Sequence, residues 1–372
     1  MKYNFIFYYP SIESGGLEKN LFFLVNSLSK KNYKVKLLTY ANNINLSKFK
    51  KKFFFDKNIY LITSNLIRGI NNRYLKYIIC SFRLFFFMLT EKGTIVSFQG
   101  NILPIAVAKI TGNKIIIRCN TAPSKYIDNI FKKYFFKFFY SLSDMILVTS
   151  EDFKKEIKKY FNLTSKVHKQ SLDLKDIKKK SKVNLNFGFF KNFRGLKIIN
   201  IGRLIHQKNQ IILLKAFLEL IKYRKAKLLL IGSGSDEKVL RNFIKQNKIQ
   251  NLVKIIQFTN NPFKYISLCD IKILSSRFEG NPNILLETAC LKKLIISSDC
   301  KVGPSEILQS GKGGILFKVG DHKELFSILK KINVNSNHIK KKINISYDYV
   351  KNNFKKDISV TFIDLVKKLK WK

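Results

Sequence analysis

The feature that most constrains this chain is a rhythm: short, nearly unbroken apolar runs alternate with longer stretches of helical periodicity. In the first half the runs are YNFIFYY, YKVKLLTY, GTIVSFQ, NKIIIRC and DMILVTS, separated by helical patterns at 17–30, 101–111, 126–141 and 151–161. Strands that are apolar throughout belong in parallel sheets covered on both faces, and parallel neighbours need crossover helices. The rhythm breaks over 164–194, a polar and basic stretch with a lysine run at 178–180. It resumes with GLKIINIG, AKLLLIGSG, LVKIIQF, DIKILSS and KLIISSD. The expected class is α/β: two doubly wound, Rossmann-like domains, 1–190 and 191–345, facing an interdomain cleft at their strand ends. A last helical pattern, VTFIDLVKKLKW, sets Phe362, Leu365 and Leu369 on one face of a C-terminal segment, 346–372.

Composition limits the partners. The chain of 372 residues has a net charge of +46, with lysine spread along its whole length. Two readings stay open: compositional drift of the whole sequence, or an anionic partner, either an acidic membrane face or nucleic acid. No zinc-ligand spacing, RNA-reading aromatic signature or compact basic arm supports nucleic acid. Five cysteines without a CxxC spacing read as reduced thiols of a cytosolic protein. The N-terminus lacks a signal-peptide cleavage site, and no uncharged apolar run reaches the roughly 20 residues of a membrane span. The nearest candidates, 77–89 and 131–142, carry Arg83 or Lys132, Lys133 and Lys137.

Chemistry is expected in loops at the strand ends. In SRFEGNPNILLETACLKK, Gly280 permits a sharp turn, Asn281 suits a helix cap and Pro282 a first helical position. The leading N–H groups, at Asn283, Ile284 and Leu285, then form an anion site reinforced by the helix dipole. Glu279 precedes that tip and Glu287 follows it by roughly 7–8 Å along the axis, at about 1.5 Å per residue. Carboxylates beside a bound anion would accept from hydroxyl groups on either side of it. A diphosphate between two sugars fits that pattern; so does a pair of ordinary capping or solvent-facing acids.

The loop IGRLIHQKNQ puts Gly202, Arg203 and Lys208 after a strand, where two cations can neutralise a diphosphate or simply form a basic surface. No Asp-x-Asp occurs, so a carboxylate-held metal is not expected. Gly232 and Gly234 follow the next strand, and Gly15 and Gly16 follow the first; each pair is open to a turn or a ligand contact. Gly303-Pro304 begins another helix beside the Glu279 loop in strand order. The four histidines are dispersed, and there is neither a G-x-S-x-G elbow nor a P-loop.

Taken in order, Gly15-Gly16, GRLIHQKN, LIGSGSDEKVL, FTNNPFKYISLCDIKILSSRFEGNPNILLETACLKKLIISSD and GPSEIL…GKGGILFKVGD resemble the retaining GT-B glycosyltransferases of family 4. The resemblance covers nearly the whole chain. It is closest to bacterial enzymes that build lipopolysaccharide, capsule or lipid-linked oligosaccharides. It implies transfer of a hexose or N-acetylhexosamine from a nucleotide diphosphate sugar, UDP favoured over GDP, with no cofactor and no metal. Arg203 and Lys208 would hold the diphosphate, Glu279 the transferred sugar, and Glu287 the ribose. Asn283, Ile284 and Leu285 would line phosphate and sugar, and the Gly15-Gly16 loop would close near the reaction centre. It further implies retention of configuration without an enzyme nucleophile, a C-terminal helix that crosses back onto the first domain, and a glycan or lipid-linked acceptor.

Two departures stand against the pattern. No histidine precedes His168, so the first-domain sugar contact would fall to IIIRCNTAPSKY, where Arg118 and Asn120 are the acceptor-side candidates. KVHKQSLDLKDI replaces the usual strand and turn, with Asp173 as its remnant. The aromatic-basic helices around 73–89 and 126–142 are read either as core helices or as a rest on an anionic leaflet. The expected location is cytoplasmic, peripheral on the inner face of the cell membrane, with no specific nucleic acid partner. The competing functions are transfer to a small soluble acceptor and, from another class, a basic nucleic-acid-binding protein.

Overall fold

A computed structural model of the chain describes residues 3–11, 16–40, 59–62, 72–170, 172–185, 187–354 and 357–369. The chain forms two compact units, Met1–Ser171 with Lys356–Lys372, and Leu172–Lys355.

The first unit is built on a parallel sheet of β1 (Asn4–Ser11), β2 (Lys34–Tyr40), β3 (Ile59–Ile62), β4 (Thr94–Ser97), β5 (Lys114–Arg118), β6 (Met145–Val148) and β7 (Lys166–Val167), in the order β3-β2-β1-β4-β5-β6-β7. The second holds β8 (Leu196–Ile201), β9 (Ala226–Ile231), β10 (Val253–Ile256), β11 (Ile271–Leu274), β12 (Leu294–Ser298) and β13 (Ile315–Phe317), in the order β10-β9-β8-β11-β12-β13. Each winds outward one way, returns to the middle and winds out the other way. The switch points therefore lie between β1 and β4, and between β8 and β11. The short strands β3, β7 and β13 are absent from the sequence-based expectation.

Local chemistry explains the elements. The helix Glu151–Phe161 starts where Ser150 Oγ accepts from Phe153 N, with Glu151 and Asp152 in the first turn favoured by the helix dipole. It ends at Asn162, left-handed at φ 56°, and buries Phe153, Ile157 and Phe161 at a spacing of four.

The boundaries differ from those expected. Residues 172–190 lie with the second unit, because Ile177 and Phe190 join its core and Asn261 and Ser267 bond the carbonyls of Lys180 and Ser181. Asp173 caps the helix Leu174–Ser181 by accepting from Asp176 N. The helix Asn337–Asn353 runs through position 345/346 within the second unit, so only Lys356–Lys372 joins the first.

There the helix Ile358–Lys367 completes a core. Ile358, Phe362, Ile363 and Val366 pack with Phe5, Phe7 and the inner face of the helix Gly16–Lys30. Phe362 is wholly buried, its ring 5.4 Å from Phe5 and 5.6 Å from the His168 imidazole. Asp357 caps this helix and pairs with Lys31 at 2.9 Å. Burial alone would raise its carboxyl, but bonds from Ser27, Lys31 and Ser359 outweigh that and hold it at about 2.

Candidate functional site

The side chains singled out in the second half meet at the carboxyl end of its sheet. The loops that follow β8 and β11 flank the switch point and are stitched together. Arg277 N donates to Gln207 O at 2.8 Å, Gln207 Nε2 to Phe278 O at 3.0 Å, and Ser275 Oγ to Lys208 O at 2.8 Å. Lys208 Nζ then pairs with Glu279 Oε1 at 2.5 Å, and Ser276 Oγ donates to the same oxygen at 2.5 Å. The Ser276 carbonyl is held in turn by Ser298 Oγ and Cys300 Sγ, so the β12 end braces Glu279 from beneath. Both bonds to Glu279 fall on Oε1; Oε2 has no donor among the described residues. Arg203 is exposed, with no carboxylate partner among the described residues.

The glycines have distinct steric reasons. A Cβ on Gly232 would lie 1.9 Å from Gly202 O, and one on Gly234 2.3 Å from Leu204 O. Both glycines serve to let the β9 loop press on the Arg203 loop, as Leu204 N to Ser233 O at 2.9 Å also shows. The Lys208 stem crosses Gly202, 3.6 Å from where a Cβ would stand. Gly303, at φ 97°, abuts Gly280 O, where a Cβ would come within 2.5 Å, so the Gly303-Pro304 loop does border the Glu279 loop.

The helix after Glu279 begins one residue later than the sequence implies. Pro282 occupies the cap position without a side-chain cap bond, and Asn283 is the first residue of Asn283–Cys290. Leu285 N, expected to face an anion, instead donates to Pro282 O at 3.0 Å. The tip is thus led by Asn283 and Ile284. Glu287 is buried further along the same helix.

Lys272 escapes sequence reasoning. It is wholly buried in β11, between β8 and β12, and its Nζ donates to Ile273 O at 3.1 Å. Burial first, then repulsion from Lys208, lowers its ammonium to about 7, with Glu279 opposing. A lysine depressed from its unfolded value near 10.4 binds less proton folded than unfolded, so its own contribution to stability rises with pH from about 7 to about 10 and is constant below that window. Lys272→Met is therefore expected to stabilise the protein by about 1–4 kcal/mol. The gain should shrink between pH 7.5 and 9.5, read by urea unfolding at each pH.

Among the first unit's candidates, the structure turns Arg118 into the core and ties Asn120 to the backbone. Arg118, expected on an acceptor side, is 1% exposed; its guanidinium lies 5.4 Å over the Phe98 ring and bonds His168 Nδ1 at 2.7 Å. A guanidinium only donates, so Nδ1 accepts and Nε2 carries the proton donated to Ile358 O at 3.0 Å. Burial, then the Arg118 charge, pushes His168 down to about 3, so it stays neutral. Arg118 thus clamps the C-terminal helix through His168. Asn120 Nδ2 donates to Phe98 O at 2.8 Å and shapes the turn after β5. Gly16 begins the helix Gly16–Lys30; Gly15 lies outside the described residues.

The geometry offers a helix tip and two basic groups for an anion, with a carboxylate oxygen beside them for a hydroxyl. Residues 186–347 match the family model described as Glycosyl transferases group 1. The chain is 32% identical over 213 residues to an uncharacterised glycosyltransferase of Methanocaldococcus jannaschii, covering 54% of this chain and 52% of that one. It is 28% identical to the N-acetylgalactosamine-N,N'-diacetylbacillosaminyl-diphospho-undecaprenol 4-alpha-N-acetylgalactosaminyltransferase of Campylobacter jejuni, over 60% of this chain and 62% of the relative. The chain thus spans little more than half the length of these curated relatives. In fold it is similar to HepE of Anabaena, solved with UDP and glucose, at a TM-score of 0.80 and 15% identity over 99% of this chain and 100% of that one. The fold is GT-B: two parallel-sheet, Rossmann-like α/β domains.

Proposed function

We propose that the protein is a retaining glycosyltransferase. It moves a hexose or N-acetylhexosamine from a nucleotide diphosphate sugar, UDP favoured, to a lipid-linked or envelope glycan acceptor, without a metal, at the inner face of the cell membrane. The observation that carries this reading is Glu279: one oxygen locked by Lys208 and Ser276, the other open, beside a helix tip at the switch point. A nucleoside diphosphate leaves as an anion whose charge grows as the glycosidic bond breaks. Fixed donors pointed at that charge stabilise the transition state more than the ground state. Lys208, Arg203 and the Asn283–Ile284 tip supply them.

Glu279 Oε2 would accept from a hydroxyl of the transferred sugar, and Glu287 from the ribose. Among the described residues of the second-unit site no side chain is posed as a nucleophile, which suits attack by the acceptor on the face the diphosphate leaves. The envelope-glycan acceptor draws on the Campylobacter relative, whose name places its substrate on diphospho-undecaprenol.

The direct test is a binding and turnover screen with UDP-, GDP- and ADP-sugars, with NMR of the product's anomeric centre and a chelator arm. An inverted product, or loss of turnover in chelator, would overturn the mechanism; no nucleotide sugar bound would overturn the function.

Two further outcomes are expected. A bound diphosphate favours charged Lys272, so binding takes up proton and nucleotide affinity falls as pH rises above about 7, read by calorimetry from pH 6.5 to 9. Gly232→Ala forces the Arg203 loop away from its position, and a displacement near 1 Å costs about 10²-fold in kcat/KM. Near-normal turnover of that variant would show that the loop need not be held where it is.

A further inference from the structure

The sequence leaves the helices around 73–89 and 126–142 open between core and surface. The structure shows that they do both. In the helix Arg73–Thr90, Cys80, Ser81, Leu84 and Met88 are buried. At about 100° per residue, Leu75, Ile78, Phe82, Phe86 and Leu89 fall on the opposite side, and all five are exposed. The helix Ile130–Ser141 buries Tyr140 yet exposes Phe131, Tyr134, Phe135 and Phe138, with Phe131 84% accessible. Between them the helix Ile102–Ile110 touches both and ends in Ile110, itself exposed. Two helices of one unit therefore carry outward apolar stripes, with the exposed Ile110 of the helix between them, far more than the isolated exposed side chains of an ordinary surface.

Cations border these stripes. Lys76 and Arg83 lie about a quarter-turn from the outer row of the first helix, and Lys132 a quarter-turn from that of the second. Lys109 is exposed beside Ile110. A second copy of this chain would bring the same basic rim and its own net charge of +46 against it, which opposes self-pairing. Aromatic and aliphatic tips ringed by long basic side chains instead match an acyl boundary beneath anionic headgroups. None of the helices among the described residues is long and apolar enough to cross a membrane, so the contact is one of lying on the surface.

We infer that the outer faces of helices 73–90 and 130–141 form a docking surface for an anionic lipid bilayer, with Phe82, Phe86, Phe131 and Phe135 entering the acyl boundary. The inference deepens the proposed transfer to a membrane-linked acceptor and rests on that reading for its purpose. Its test needs no donor sugar, so the two fail separately.

The full chain is mixed with vesicles of phosphatidylcholine alone or with about 30% phosphatidylglycerol, at about 50 and 500 mM salt, and floated. Binding to the anionic vesicles at low salt is expected to exceed binding to neutral ones by about tenfold or more. The quadruple variant Phe82→Ser, Phe86→Ser, Phe131→Ser, Phe135→Ser should lose about tenfold or more of that binding. It should keep its circular dichroism and its UDP affinity, which belongs to the second unit. Lys76→Glu with Lys132→Glu provides an independent arm and should lose binding at low salt only.

No binding to either vesicle, equal binding to both, or an unaffected serine variant would overturn the inference. So would lipid-free self-association abolished by the serine substitutions, which would make this face an interface between copies. Heparin binding that ignores the four phenylalanines while vesicle binding is absent would assign the charge to soluble polyanions instead.

Discussion

Glu279→Ala is expected to reduce the proposed glycosyl transfer by about 10²–10³-fold, the loss typical of removing one fixed group that meets transition-state charge or its neighbour. Lys208→Ala should match or exceed it. The pair is only partly accessible, so each substitution also strands its partner. The two consequences differ. Without Glu279, the Lys208 ammonium retains an outlet toward solvent or phosphate. Without Lys208, the Glu279 carboxylate stays buried with Ser276 as its one remaining donor among the described residues, and an uncompensated buried charge costs about 3–5 kcal/mol where burial is complete. Lys208→Ala should therefore lower Tm more than Glu279→Ala.

Glu279→Gln separates the roles: it keeps shape and one acceptor oxygen but drops the charge that holds Lys208. If Glu279 binds the sugar, UDP affinity survives in this variant while UDP-sugar affinity and kcat fall. If it only anchors Lys208, UDP affinity falls equally. Near-normal turnover in both alanine variants would end the assignment.

Phe362→Ala should be the most destabilising single change in the first unit, at about 3–5 kcal/mol for a fully buried aromatic ring. Phe362 is wholly buried and packs on the rings of Phe5, Phe7 and His168, so its loss leaves a cavity in that core. For a unit of this size that is a fall of roughly 6–20 °C in its melting temperature. Scanning calorimetry should show the first unit's transition moving while the second unit's stays. A single unmoved transition would show that helix 358–367 is a passenger rather than a part of that core.

The strands were legible because parallel strands covered on both faces leave continuous apolar runs, and the Glu279 and Arg203 loops were legible because each is a local string. Three kinds of information were not. Short edge strands such as Ile59–Ile62 and Ile315–Phe317 offer too few residues to carry a period. The pairing of Lys208 with Glu279 joins positions 71 apart, which only the sheet order brings together. Burial of charge was hidden by composition: among 70 basic residues, Lys272 and Arg118 look like any others, yet both sit in a core. Arg118 reads as an acceptor contact in the sequence because a string of residues cannot show that its guanidinium turns inward to His168.

The first unit's core is closed by residues that come after the whole second unit in the chain. On the ribosome this order matters. Residues 3–170 leave the exit tunnel before the second unit but lack Phe362 and the Ile358 carbonyl that His168 needs. Until about 190 further residues have been made, at about 5–20 residues per second, Phe5, Phe7 and the inner face of helix 16–30 wait uncovered. The second unit, continuous in sequence, can fold at once. The second unit is therefore expected to complete its core before the first, although the first unit precedes it in the chain.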